Sequence, residues 1–212
     1  MILASDLAPE HRIATSHAPA GAQDKFAALF ALDRQLGLAV ARGHEPIAIQ
    51  LRLAWWREAF GNGRIPRGDE RMTAICKAWH GQLAELVPMV DGWEELVAET
   101  PDLAAVAAGR AAPFLTLARD LGCNPCQLDA TRAAVERWLL VDLAEHHGDP
   151  QVRSAARARA HSLARPATSL PRAMRPIALL DGLARRALRR GGAMFGDRLS
   201  PLAAMRLGIF GR

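Results

Sequence analysis

Asp142, Glu145 and His146 are the group of side chains in this sequence that most readily suggests metal chemistry. Asp142 and His146 are four residues apart, so in a helix a carboxylate and an imidazole would share one face and could ligate the same ion. Glu145 would add another oxygen ligand. The other interpretation is a solvated helix end, where isolated acidic and histidine side chains are usually found.

An acidic residue on an apolar helix face is the second candidate. Asp33 lies in the middle of the face formed by Phe26, Leu29, Phe30, Leu36, Gly37 and Val40. An unpaired carboxylate in such a place is strongly unfavourable, so it requires a hydrogen-bond or ion-pair partner. The next helix offers Arg52 and Arg57, and we predict that Asp33 meets one of them. This pair is either a salt bridge that orients two helices or part of a polar site.

The elements that must position these side chains are helices. Apolar residues recur with helical spacing, Pro and Gly mark the ends, and no run alternates like a β-strand, so the sequence predicts an all-α fold. The predicted helices are 22–42, 46–60, 69–87, 92–99, 102–121, 127–147, 151–164, 171–190 and 201–208. Asp91 followed by Glu94 resembles a capping box at the start of the fourth helix.

Helix 46–60 is apolar on two sides. Ile49, Leu53, Trp56 and Phe60 form one stripe, and Ile47, Leu51 and Trp55 line the opposite side. A helix without a polar face is typical of a protein interior. We therefore predict that this helix is central and buried.

Composition and charge limit the class of protein. The 212 residues include 50% hydrophobic residues and no long apolar run, which predicts one domain over 1–212 without a membrane span. Three cysteines and no recognisable signal peptide favour the reducing cytoplasm. From about residue 151 the chain is basic, with 13 arginines against 2 acidic residues.

The basic part has three interpretations, of which nucleic-acid binding is the weakest because few aromatic residues accompany the arginines. The arginines of helix 171–190 that we place on its outer face are Arg185, Arg186, Arg189 and Arg190. They could contact an anionic membrane surface or a protein partner, or they could pair with the acidic remainder of the chain and the negative end of the helix dipole.

Two segments carry a family resemblance. The string Phe26-Ala-Ala-Leu-Phe-Ala-Leu-Asp-Arg34, followed by Glu45-Pro-Ile and Arg52-Leu-Ala-Trp-Trp-Arg57-Glu, resembles the opening of squalene/phytoene synthase-like proteins. Weaker similarity continues through most of the chain. The resemblance implies a single isoprenoid-synthase-like helical bundle around a central cavity. It also implies that Asp33, Arg34, Arg52 and Arg57 serve that cavity or a bound diphosphate.

Active members of that family hold Mg²⁺ between two facing aspartate-rich motifs, and the ions assist departure of diphosphate. The first motif is expected about three residues after Arg34, where this chain reads Leu36-Gly-Leu-Ala-Val-Ala41 and has no carboxylate. The second is partly matched by Asp142-Leu-Ala-Glu-His146. The resemblance thus implies a trimmed member without a complete metal site.

Two functional hypotheses follow, and we prefer the first. The protein would be non-catalytic, without a cofactor, and would bind an isoprenoid or lipid or act as an assembly factor peripheral to the inner membrane. Assembly factors of respiratory complex I, which share the resemblance, are an analogue for that role. In the alternative, an active prenyltransferase would use Asp142, Glu145 and His146 for Mg²⁺ and Arg34 and Arg52 for diphosphate. A helical interaction module unrelated to this family is a third interpretation.

Overall fold

All regular secondary structure in the described part of the chain is helical, which confirms the predicted all-α class. The computed structural model describes residues 2, 6–42, 45–63, 69–163 and 169–195. The α-helices are α1 (Pro9–Ser16), α2 (Gln23–Arg42), α3 (Pro46–Gly61), α4 (Glu70–Ala78), α5 (Val87–Glu95), α6 (Leu103–Asp120), α7 (Pro125–His146), α8 (Pro150–Ser162) and α9 (Arg175–Arg190). Short 3₁₀ turns cover Ala20–Ala22, Leu83–Leu86 and Arg172–Met174.

Local sequence explains most helix ends. The side chain of Asp69 accepts hydrogen bonds from two backbone amides at the start of α4, and Asn124 and Gln127 form a capping box at the start of α7. Helix α9 ends at Gly191, whose φ of 70° is a left-handed conformation that suits glycine. These ends lie within a few residues of the predicted ones.

The predicted helix 69–87 is divided in the structure. Helix α4 ends at Ala78, and Gly81 has a φ of 82° that interrupts the helical path. Helix α5 then begins at Val87 with a proline in its first turn, so the predicted start at Gly92, capped by Asp91, is wrong. Helix α1 was not predicted, and the predicted helix 201–208 lies outside the described residues.

Helices α6 and α7 lie in the middle of the packing arrangement. Helix α6 packs against α5 and α7, while α7 also packs against α8 and α9, and α1 contacts both α2 and α9. Phe30 of α2 lies at a junction of four helices, with the rings of His11, Phe26, Phe114 and Trp138 centred 4.6–6.2 Å away. This aromatic cluster joins α1, α2, α6 and α7.

Helix α3 lies at the edge of the molecule, so the prediction that it is central and buried is wrong. It packs mainly against α5 and buries Ile49, Leu53, Trp56 and Phe60. The other apolar side faces outward: Ile47 is 70% exposed, Leu51 is 68% exposed and Trp55 is 45% exposed. The sequence pattern contains two apolar faces, but only one of them packs against a helix of the described part of the chain.

Candidate functional site

A buried arginine joins two carboxylates from different helices. Arg110 of α6 is only 1% exposed, and its Nε and Nη2 donate to Oδ1 and Oδ2 of Asp33 at 2.9 and 2.8 Å. The same Nη2 donates to Oδ2 of Asp142 in α7 at 3.3 Å. We call this three-residue arrangement the Arg110 bridge. It ties α2, α6 and α7 together through one charge.

The arginine of the bridge is a permanent cation. Burial alone would lower the pKa of Arg110, but the charges and hydrogen bonds of Asp33 and Asp142 raise it above its ordinary value. A guanidinium with two parallel hydrogen bonds to one carboxylate is among the stronger polar contacts in proteins. The bridge therefore brings one positive charge between two negative ones.

Trp93 of α5 completes the contacts of Asp33. Its indole Nε1 donates to Oδ1 of Asp33 at 2.8 Å, and its ring lies 4.2 Å from the guanidinium carbon of Arg110. The far edge of the same ring covers Gly37 of α2, where a Cβ atom would come within 2.8 Å of it. Gly37 belongs to the segment in which the family resemblance expects carboxylates, and a side chain there would displace the indole.

Two glycines allow α5 and α6 to approach closely enough to place Trp93 beside Arg110. A Cβ atom on Gly92 would lie 2.8 Å from the backbone nitrogen of Arg110, and one on Gly109 would lie 2.7 Å from the carbonyl oxygen of Pro88. Both obstacles are backbone atoms, which cannot swing away as a side chain can. The close crossing therefore depends on these two residues.

Asp142 and His146 form the exposed end of the site. The side chain of Asp142 is 25% exposed, and its Oδ1 lies 3.2 Å from Nδ1 of His146. Burial raises the pKa of Asp142, but the hydrogen bond with His146 and the charge of Arg110 outweigh it and lower the pKa to about 2. The hydrogen bond to Asp142 in turn raises the pKa of His146 to about 9. At neutral pH the pair is an aspartate and an imidazolium.

A buried histidine lies next to the site. His11 stacks on Phe30 with ring centroids 4.6 Å apart, and neither of its ring nitrogens has a hydrogen-bond partner among the described residues. Burial lowers its pKa, although the charges of Asp142 and Asp33 act in the opposite direction. The imidazole is therefore a neutral member of the aromatic cluster at pH 7.

The predicted partners of Asp33 are elsewhere, and that prediction is wrong. Arg57 forms ion pairs with Asp91 and Glu94 of α5, and Arg52 lies exposed on the outer side of α3. Asp33 instead points toward α5 and α6, away from the arginines of α3. The acidic pair Asp91 and Glu94, interpreted as a helix cap, belongs to the ion pairs that attach α3 to α5.

Arg34 is also separate from the site. It follows Asp33 on α2 but is exposed, and its Nη1 donates to the backbone carbonyl oxygen of Asp6 at 3.1 Å. The structure therefore does not bring Asp33, Arg34, Arg52 and Arg57 together around one cavity or diphosphate.

The three predicted metal ligands are not brought together as a ligand set. Asp142 is held by Arg110 and His146, whereas Oε1 of Glu145 accepts a hydrogen bond from the backbone amide of Met194 at 2.5 Å. Among the described residues no three His, Cys, Asp or Glu side chains are grouped closely enough to hold a metal ion.

The C-terminal arginines divide between the interior and the surface. Asp181 of α9 is buried and accepts from Arg137 at 2.6 Å and from Arg185 at 2.5 Å. Arg186 is only 8% exposed, so its predicted place on the outer face is wrong. Arg189 and Arg190 are exposed. Helix α9 turns more of its basic side into the protein than the sequence pattern indicated.

Arg110 and Trp93 are the site residues that sequence reasoning missed. A signal was available, because Arg110 is the one charged residue between Leu103 and Ala118, in a segment otherwise made of small and apolar residues and one threonine. A lone arginine in such a helix requires an acidic partner, just as Asp33 requires a basic one.

Comparisons with known proteins do not assign this chain to a family. Comparison of the chain with protein-family models, with curated proteins and with solved structures finds no match.

Proposed function

We propose that the protein is a non-catalytic relative of the squalene/phytoene synthases that works by binding. Its role would be to hold an isoprenoid or lipid, or to act as an assembly factor, at a membrane surface. The observation that supports this proposal is the Arg110 bridge. It places a guanidinium of the protein itself between two carboxylates from different helices.

The donor set does not fit a magnesium ion. Mg²⁺ requires several oxygen ligands in a strict octahedral arrangement. Both oxygens of Asp33 already accept hydrogen bonds, from Arg110 and Trp93, and the two oxygens of Asp142 face Arg110 and His146. A divalent cation would have to displace a buried arginine that has no other acidic partner among the described residues.

The segment after Arg34 supports the same conclusion. Leu36 to Ala41 contains no carboxylate, and the Trp93 ring packs against Gly37, the second residue of this segment. On this proposal, the segment does not supply the first group of oxygen ligands through which metal-dependent enzymes of that family neutralise a departing diphosphate. The alternative of an active prenyltransferase with a reduced Mg²⁺ site therefore has less support.

Pyrophosphate release tests the proposal. The purified protein is incubated with farnesyl or geranylgeranyl diphosphate and Mg²⁺, beside the Asp142→Ala variant and a protein-free blank. We expect no release above the blank from either protein. Release by the wild type that is abolished in Asp142→Ala would establish the prenyltransferase instead. If neither protein releases pyrophosphate, mass spectrometry of copurifying lipids distinguishes a ligand-binding role from an assembly role.

A further inference from the structure

A buried imidazole lies on the inner side of α1, and neither the Arg110 bridge nor the proposed function uses it. His11 is 7% exposed, and its ring nitrogens have no hydrogen-bond partner among the described residues. Its ring stacks on Phe30 and meets the ring of Trp138 edge-on, with centroids 4.6 and 5.5 Å away. A titratable side chain thus occupies a place in the aromatic cluster where an apolar one would leave no polar group unsatisfied.

The structure of α1 depends on how it packs. It lies against α2 and α9, and the residues that it buries are His11 and Ala14. Ile13 of the same helix packs half-buried against the core. Isolated helices shorter than about 12 residues are marginal in water, and α1 has eight. We therefore expect α1 to keep its helical form only while His11 stays packed in the aromatic cluster.

A proton on His11 makes this packing unfavourable. The neutral imidazole leaves one donor and one acceptor unsatisfied, whereas an imidazolium would place two donors and a full charge in the same apolar surroundings. Burial of an unpaired charge is far more costly than burial of a neutral polar group. The face of Phe30 attracts a cation, but this attraction is too small to replace the lost hydration.

Burial and the charges of four helices act on the imidazole. Burial has the largest effect and lowers the pKa of His11 from its ordinary value of 6.5. The charges of Glu10 in α1, Asp142 in α7 and Asp33 in α2 act in the opposite direction. The charge of Arg110 in α6 acts in the same direction as burial, and Arg110 already holds both aspartates. The surroundings therefore favour the neutral ring.

Helix α9 also packs against α1, and its buried charged side chains are Asp181 and Arg186. Asp181 accepts hydrogen bonds from Arg137 and Arg185. Burial raises the pKa of Asp181 despite these partners, so its carboxyl group is a second candidate for a change of charge in mild acid. A test of His11 has to distinguish the two groups.

We propose that α1 is a pH-sensitive strap, in which protonation of His11 releases α1 from the aromatic cluster. Acid favours the released state because the ring takes up a proton more readily in water than between Phe30 and Trp138. The stabilising effect of the neutral ring is complete above pH 6.5, the ordinary pKa of histidine, and weakens as the pH falls below it. One proton changes the ratio of released to attached protein by up to about tenfold per pH unit. Release of α1 needs no ligand or membrane, so it is independent of the proposed function.

Hydrogen–deuterium exchange measures the release of α1. Exchange of the α1 amides is followed between about pH 8 and about pH 5, and comparison with the intrinsic exchange rate at each pH gives a protection factor. We expect the protection of α1 in wild type to fall below pH 6.5 by up to about tenfold per pH unit. We expect the amides of residues 134–141, in the middle of α7, to stay protected over the same range.

Two variants fill the place of the imidazole without a titratable group. In His11→Phe and His11→Leu, the protection of α1 should no longer depend on pH in this range. The smaller leucine covers the case in which the phenyl ring is too large for the cluster. His80→Leu, at an exposed histidine that follows α4, is the matched control and should keep the pH dependence of wild type. Circular dichroism at neutral pH verifies that each variant is folded.

Three results would overturn the inference. The first is a wild type in which the protection of α1 does not change with pH. The second is the pH dependence of wild type in both His11 variants, which would assign the effect to a carboxyl group such as that of Asp181. The third is an equal loss of protection in α1 and in residues 134–141, which would show that acid unfolds the whole protein rather than releasing α1.

Discussion

At the scale of single residues, the buried charge of Arg110 connects three helices. Arg110 is shared by Asp33 and Asp142, and both of its acidic partners come from other helices. A buried ion pair adds little stability compared with apolar packing, but removing one partner is costly because the other charge stays buried. Variants that remove the charge of an acidic partner should therefore lower the free energy of unfolding substantially.

Asp33→Asn should lower the free energy of unfolding by about 3–5 kcal/mol, because it removes the charge opposite Arg110 and keeps the shape of the side chain. Asp24→Asn, on the same helix but exposed, is the control and should cost no more than about 1 kcal/mol. Urea denaturation followed by circular dichroism measures both. Equal losses in the two variants would show that the bridge is not a main support of the fold.

The pair of Asp142 and His146 should make stability depend on pH. The pKa of His146 rises from 6.5 to about 9 in the folded protein, chiefly through its hydrogen bond to Asp142. Its stabilising effect is therefore complete below pH 6.5 and is lost as the pH rises through about 9. The lowered pKa of Asp142 gives the opposite dependence at acid pH, where stability is lost as the pH falls below 3.8 toward about 2.

Denaturation at several pH values checks this dependence. Wild type should lose stability between pH 6.5 and 9, and His146→Gln should lose less over the same range. The difference should be modest, because the side chain of His146 is 70% exposed and solvent screens the interaction. A steeper loss in the variant than in wild type would contradict the assignment.

At the scale of helices, the close crossing of α5 and α6 determines where Arg110 and Trp93 lie. Gly92 and Gly109 face each other, and a Cβ atom on either would lie within 3 Å of backbone atoms of the other helix. Without this approach, Trp93 could not reach Asp33 while its ring covers the guanidinium. The two glycines thus connect backbone packing to the polar site.

Gly92→Ala should destabilise the protein by about 1–3 kcal/mol, because the added methyl group forces the two backbones apart. Gly61→Ala is the control: it lies in the last turn of α3, where an added Cβ atom would have nothing within 4 Å, and it should be neutral or stabilising by up to about 1 kcal/mol. Thermal unfolding compares the two. A Gly92→Ala variant as stable as wild type would show that α5 and α6 can move apart without a cost in stability.

The sequence predicted where helices begin and end better than it predicted which helices pack against each other. Proline, glycine and capping residues determine ends such as Asn124 and Gly191 locally, so those ends could be inferred without a fold. The environment of α3 could not be inferred from the sequence. Its two apolar sides look alike there, and only one of them packs against α5. For the same reason Arg52 and Arg57 looked equally suited to meet Asp33, although neither does.

At the scale of the whole molecule, part of the charge imbalance between the two parts of the chain is compensated within the fold. Arg159 of α8 lies close enough to Glu136 of α7 for its charge to oppose the rise that burial causes in the pKa of that carboxyl group. Arg189 and Arg190 stay exposed. No helix in the described part of the chain is long and apolar enough to cross a membrane.

The sequence indicated Asp33 and Asp142 as two separate candidates, and the structure brings both of them to Arg110. It did not indicate that an arginine from a third helix would join them, because that depends on how α6 packs between α2 and α7. The charge that Asp33 required was predicted correctly, and only its source was wrong.

Crystals soaked with Mn²⁺ and a non-hydrolysable farnesyl diphosphate analogue test the central claim most directly. The Mn²⁺ positions are located by their anomalous scattering. We predict that Arg110 stays between Asp33 and Asp142 and that no Mn²⁺ ion is bound by these two carboxylates. A Mn²⁺ ion ligated by carboxylates from both α2 and α7, with the guanidinium of Arg110 displaced, would contradict the account.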